Sequence, residues 1–436
     1  MLMNKNMGRP VSVIVVGAGD RAGIYTRVAE ESPDMMRVVG VVEPDQKRRE
    51  HMKKRFSIPE SECFSDVSEL VARGKSADAI INCTMDQVHV TTSLPLLEQG
   101  YAMLIEKPFA TNEDELKALV CCARRNASRV MVCHELRYSE FYGTIKQRLM
   151  SGEIGDIINI QTAEHVSYHH IATAFVRGKW ANSERSHTSM LLAKCCHDLD
   201  LIMWLMGDDL PVSVTSFGSR QQFKPENAPE GAADRCLAGC PYVDSCPYSA
   251  KRLYLDTLWR WANYVWAPFI DKPDVTMDER ISLLRESSPY GRCVYKCDNN
   301  VVDHQSVLIR FASGATVTHN MVGGASRPLR PIHIIGTKGE IYGNFEEQKF
   351  FVSLIDPSRD ALDDERRVEC VDLGGSGHSG HGGGDLALAR DFVRFVRGEE
   401  TSPACTYLED SIKSHLCIYR ADESMNSGGQ PQPITL

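Results

Sequence analysis

Gly17, Gly19 and Ala22 follow the apolar, largely β-branched run Val11–Val16 at the spacing G-x-G-x-x-A, and a second apolar run, residues 38–42, ends in Glu43. After a buried strand, the first glycine permits a tight turn and the second lets the backbone approach a pyrophosphate. The alanine lets the following helix pack closely, with its N-terminus toward the diphosphate. Asp20 and Arg21 lie inside this loop and join the candidate cofactor set. An acidic residue about 20 or more positions past the first glycine is placed to bind both ribose hydroxyls of an adenosine. A carboxylate there repels a 2′-phosphate, so Glu43 favours NAD, while Lys47, Arg48 and Arg49 keep NADP open.

These residues need a parallel sheet to hold them, and the chain supplies its elements. A helix over 24–31 separates the first two strands, and the apolar strand over 79–84 ends at Thr84 beside the nicotinamide half of the expected crevice. His89 follows, and the short strand Ala102–Ile105 delivers Glu106-Lys107-Pro108. The length of 436 residues is too great for one ordinary core and predicts two domains. The pattern divides them at 1–134 for a Rossmann dinucleotide-binding domain and 135–436 for a second domain, to which the family resemblance given below assigns substrate binding and oligomerisation. Past a turn-rich joint at 151–156, alternation over 157–166, 212–219 and 303–321 suits strands with one buried face.

A formal charge of -9, from 49 basic and 58 acidic residues, argues against a nucleic-acid or anionic-membrane surface. No apolar run nears the ~20 residues that span a bilayer, and residues 1–10 lack the apolar core of a signal peptide, so a soluble cytoplasmic protein is expected. Fifteen cysteines, an odd number, then read as free thiols, with clusters read as metal sites.

Glu106-Lys107-Pro108, taken with Thr84-Met85-Asp86-Gln87-Val88-His89 and the glycine loop, resembles the Gfo/Idh/MocA oxidoreductases, named for glucose-fructose oxidoreductase and inositol dehydrogenase. The resemblance implies an α/β chain with an N-terminal Rossmann domain and a C-terminal α+β domain built on a large, mostly antiparallel sheet. It implies that Lys107 sits between nicotinamide and substrate, binding the reacting hydroxyl and relaying its proton, with Glu106 touching the cofactor. Thr84 and His89 join the cofactor set on the same ground, and Arg137, a candidate substrate contact, lies in the segment that crosses to the second domain, where Asn is common at the position of Glu135. The family's second signature places an aspartate four residues before a histidine. His197 matches the histidine, but Ala193 stands where the aspartate is expected. Lys194 is then the expected substitute base, its pKa pushed down by Lys107 and the nicotinamide; the other reading makes it a carboxylate anchor or a helix-start salt bridge.

Tyr168, His170, Arg177 and Trp180, just past the first strand of the second domain, are candidate substrate contacts, because rings stack on sugar C–H faces and a guanidinium binds hydroxyls or an acidic group. His381, in a glycine-rich loop before a late helix, is expected to join them under a lid. An insertion over about 221–300 carries Cys236, Cys240 and Cys246 at C-x3-C-x5-C, then Cys293 and Cys297. Closely spaced thiolates can converge on one cation, and four of them, Cys236, Cys240, Cys246 and Cys293 or Cys297, are expected to hold a structural zinc, with reduced thiols or an iron–sulfur cluster as the other readings.

The activity this implies is hydride transfer between NAD and a secondary hydroxyl or ketone of a sugar, glycoside or cyclitol. Two alternatives stand beside it: an NAD-recycling glycosidase working by transient oxidation, elimination, hydration and re-reduction, and a non-catalytic nucleotide sensor. A homodimer or homotetramer is implied by the resemblance as well.

Overall fold

The computed structural model describes residues 8–356, 368–375 and 381–435. Its first layer is a six-stranded parallel sheet in the order β3-β2-β1-β4-β5-β6. The strands are β1 (Val11–Val16), β2 (Met36–Val42), β3 (Cys63–Phe64), β4 (Ala79–Asn82), β5 (Ala102–Ile105) and β6 (Val130–Val132). Strands buried on both faces read as continuous apolar runs, which is why β1 and β4 are β-branched or aliphatic almost throughout. The order reverses between β1 and β4, so a crevice opens past the C-terminal ends of those two strands.

The second layer is a nine-stranded mixed sheet in the order β14-β13-β12-β11-β7-β10-β9-β8-β15. It comprises β7 (Ile157–Ser167), β8 (Pro211–Ser219), β9 (His304–Phe311), β10 (Thr316–Ala325), β11 (Pro331–Gly336), β12 (Gly339–Asn344), β13 (Lys349–Leu354), β14 (Val368–Asp372) and β15 (Gln432–Pro433). Every pairing is antiparallel except β7 with β10, which run parallel. The expected hairpin over 303–321 is present as β9 and β10, with Thr316 opposite Arg310.

Two connections fix how the layers meet. The helix Met190–Met206 is apolar nearly all round and is buried between the second sheet and the helix Ile412–Asn426. The helix Gly384–Arg397 returns to the first domain, where Leu388, Phe392 and Val393 share a core with Val11, Val13 and Val15. The insertion leaves from the end of β8 and re-enters at the start of β9, where Ser219 pairs with His304. Asp303 closes its neck by accepting from the backbone N–H of Gln221 at 3.0 Å and of Gln222 at 2.6 Å. No helix among the described residues is long and apolar enough to cross a membrane.

Candidate active site

The glycine loop shows two different demands. Gly17 has φ +85, and a Cβ on it would sit 2.7 Å from the carbonyl oxygen of Cys83, so only glycine fits against β4. A Cβ on Gly19 would meet nothing within 4 Å, because Gly19 faces the open cleft where a nucleotide would lie. That cleft runs from Gly19, Asp20 and Arg48 toward Lys107 and His197, and residues of the insertion form its far wall. Among these, Asn263 donates to Asp20, and Trp261 and Tyr264 line the space beyond it.

Several expected cofactor residues turn out to brace the cleft. Glu43 is buried at the end of β2, and its carboxylate accepts from the N–H of Ala18 at 2.7 Å and of Asp45 at 2.9 Å, so it orders the glycine turn. His89 sets its ring nitrogens 2.8 and 3.0 Å from the carbonyls of Pro108 and Thr84, tying the Glu-Lys-Pro turn to the end of β4. Arg21 is a hub for three carboxylates from distant segments: Glu106 at 2.7 Å, Asp385 at 2.8 Å, and Glu135. The Tyr25 hydroxyl donates to the same Glu106 at 2.6 Å and contacts Glu135. Thr84 and Glu106 line the cleft, as does Lys107, whose Nζ donates to the carbonyl of Ala193 at 3.0 Å.

The charges around Lys107 are unequal in a useful way. Burial pushes Glu106 up, but Arg21 and Lys107 more than offset it and leave its carboxyl below the usual range. Glu135 is held above that range by burial, with Arg21 opposing and Glu106 adding to the rise. Neighbouring carboxyls whose environments drive them apart are the mark of one group held ionised and another able to carry a proton. Burial lowers Lys107, yet Cys196, Glu106 and Glu135 outweigh it and keep its ammonium above the ordinary lysine value. His197 is driven well below the ordinary histidine value by burial and then by Lys107, so its imidazole is neutral. Its Nδ1 lies 3.4 Å from the second oxygen of Glu135, and neither atom has a hydrogen-bond partner.

Lys194 corrects one expectation. It lines the cleft, but its Nζ pairs with the buried carboxylate of Glu164 at 2.9 Å. An ion pair removes the ground for a free-amine base and leaves the helix-start salt bridge. Arg330, which the sequence reading missed, joins the same wall: its Nε lies 2.6 Å from Glu164 and 3.1 Å from Asp198. No local motif marks Arg330, whose partners come from β7 and the helix Met190–Met206.

Of the expected substrate contacts, His170, Trp180 and His381 line the cleft. Trp180 donates from Nε1 to Asp86 at 2.7 Å, and His381 places Nδ1 2.9 Å from Asp385. The loop before His381 falls partly on 376–380, outside the described residues. The other three belong elsewhere. Arg137 is buried in a bidentate pair with Asp200, at 2.6 and 2.7 Å, so its fork is already filled. Arg177 points into the insertion and donates to the carbonyls of Arg292 and Tyr248, both at 2.7 Å. Tyr168 packs edge-on against His169 and Tyr248, away from the cleft.

The metal expectation changes too. Cys236, Cys240, Cys246 and Cys293 line one small cavity, whereas the Cys297 thiol donates to the Cys293 carbonyl at 3.2 Å. Zn–S bonds of about 2.3 Å hold four sulfurs within about 4 Å of one another. Among the described residues, the sets of three ligand atoms lying within 4.8 Å of one another include none of these thiols. The spacing does not fit a single zinc.

Comparison with known proteins bears on the whole chain. Residues 11–134 match a family described as oxidoreductase, NAD-binding Rossmann fold (GFO_IDH_MocA), and residues 146–435 match its C-terminal alpha/beta domain. YteT of Bacillus subtilis is 23% identical over 372 residues, covering 81% of each chain. Myo-inositol 2-dehydrogenase from Lactobacillus plantarum superposes with a TM-score of 0.65 at 15% identity, covering 98% of this chain and 100% of that one. A levoglucosan dehydrogenase solved with NADH and levoglucosan gives a TM-score of 0.69 at 16% identity over 98% of this chain and 100% of that one. With both domains matched, the chain belongs to the Gfo/Idh/MocA family of NAD-binding oxidoreductases.

Proposed function

We propose that this enzyme transfers hydride between NAD and a secondary hydroxyl or ketone of a sugar, glycoside or cyclitol. The observation that carries the reading is the meeting of Lys107, His197 and Glu135 at the inner end of the cleft that begins at Gly19. NAD, when bound, accepts the hydride; the chain's residues handle the proton. Lys107, an ammonium, holds the reacting oxygen. The neutral imidazole of His197 takes the hydroxyl proton through the ring nitrogen not facing Glu135, while the carbon gives up its hydride and becomes a carbonyl. Glu135 stands behind Nδ1 to stabilise the imidazolium, so a carboxylate from the crossing segment replaces the aspartate missing at Ala193.

Glu43 at the end of β2 supports NAD over NADP, because a carboxylate behind the glycine turn disfavours a 2′-phosphate nearby. The relatives' names support a polyol or anhydrosugar substrate, and His170 and Trp180 supply one imidazole and one aromatic face for it. The test is NADH formation across a panel of cyclitols, free sugars, sugar acids and glycosides. Stoichiometric NADH with one of them is expected. Free sugar released with only catalytic NAD and no net NADH would favour the glycosidase, and neither product would sink the reading.

The same proposal extends to setting and assembly. Fifteen cysteines with no disulfide among them support a reducing, cytoplasmic location. Phe217, Leu308 and Val322 stand exposed on one face of the second sheet and support a homodimer or homotetramer through that face, which light scattering would reveal.

A further inference from the structure

The cysteines of the insertion take no part in hydride transfer, and their arrangement indicates another ligand. Cys236, Cys240, Cys246 and Cys293 surround one cavity, with Ala232, Val243 and Val294 completing an apolar lining. Four cysteines that line one space without their sulfurs converging on one ion suit an iron–sulfur cube. There each thiolate bonds its own iron, and the cube fills the gap between them. Cys240 and Cys246 are each followed by proline, as a ligand cysteine is in ferredoxin-type runs.

A buried cation completes the picture. Arg177 is 1% exposed and has no carboxylate partner among the described residues. Its Nη2 lies 3.6 Å from Cys236 Sγ, and its other donors reach carbonyls and the Tyr254 hydroxyl. A guanidinium committed to a place without a counter-charge is costly unless an anion joins it.

We propose that Cys236, Cys240, Cys246 and Cys293 hold a [4Fe–4S] cluster, with Arg177 as its buried counter-ion. On binding a preassembled [4Fe–4S]2+ core, the four thiols release four protons and form four Fe–S bonds. The product is a dianion, and no electron moves. The role is structural. Cys236 and Cys293 lie on the paired segments joined by Cys236 N–H to Gly291 O at 2.9 Å and Cys293 N–H to Asp234 O at 2.8 Å. Tyr290, at the end of this pairing, lines the active-site cleft, and Arg177 closes the segment that carries Phe175 into the same cleft. The cluster therefore fixes the cleft's outer wall.

The test uses the full chain purified without oxygen, then reconstituted anaerobically with sulfide and equal amounts of ferrous and ferric iron, which together make up the 2+ core with no further oxidant. About four irons and four acid-labile sulfides per chain are expected, with broad visible absorption that bleaches on reduction. Cys246→Ser should lower the iron at least several-fold, and Cys297→Ser should leave it unchanged. Stoichiometric zinc in the purified chain, or thiols that stay free of iron after reconstitution, would overturn the proposal whatever the variants do. Iron retained in Cys293→Ser but lost in Cys297→Ser would overturn the ligand assignment.

Discussion

On the nucleotide side of the cleft, backbone geometry governs: a glycine that must be glycine, a second that leaves space, and a carboxylate, Glu43, that holds the turn through two N–H groups. On the substrate side, side-chain charges govern, and they arrive from segments far apart in sequence. Arg21 gathers Glu106, Glu135 and Asp385, while Glu164 gathers Lys194 and Arg330. The first wall is robust to changes of surface residue and intolerant of a single methyl group. The second should tolerate small shape changes and fail when one buried charge loses its partner.

The sharpest way to break this contrast is at Lys107, where Lys107→Met should lower kcat by about 10³-fold or more while leaving NAD affinity within a few-fold. Steady-state rates and calorimetry separate the two effects. At Glu135, replacement by Gln keeps the shape and removes the charge, and should cost about 10²-fold in kcat/KM. The pH profile adds a sign. Glu135 sits above the ordinary carboxylate range, so oxidation by the wild type should fall as pH drops through that raised value, where the carboxylate is lost. Glu135→Gln should lose this acid limb, and a profile unchanged in shape would remove Glu135 from the proton path.

The two glycines test the other wall. Gly19→Ala should fold normally and weaken NAD binding by about tenfold or more, since the backbone can no longer approach the diphosphate. Gly17→Ala, which drives a methyl into the Cys83 carbonyl at a left-handed φ, should instead destabilise the fold by about 1–3 kcal/mol in chemical denaturation. An effect of the same order is expected at the neck of the insertion: Asp303→Ala removes the acceptor for Gln221 and Gln222 and should cost about 1–3 kcal/mol, with NAD affinity preserved.

Legibility in the sequence divides along the same line. β1, β2, β4 and the Glu106-Lys107-Pro108 turn follow from apolar runs and glycine spacing, because local steric rules decide them. The side-chain hubs do not, since nothing within a few residues of Arg21 or Arg330 names a carboxylate more than a hundred positions away. Arg177 and Arg137 show the same limit. Each residue type suits a sugar, but long-range packing gives one to the insertion and the other to Asp200. Lys194 went the same way: only the three-dimensional arrangement shows that Glu164 faces it.

The neck at Asp303 has an evolutionary consequence. Because Ser219 and His304 are already hydrogen-bonded neighbours, the polypeptide that departs between them can grow, shrink or be exchanged without altering the register of a single strand. The same excursion supplies Trp261, Asn263 and Tyr264. A lineage could thus revise which molecules it admits by rewriting one graft, leaving its nucleotide chemistry as inherited.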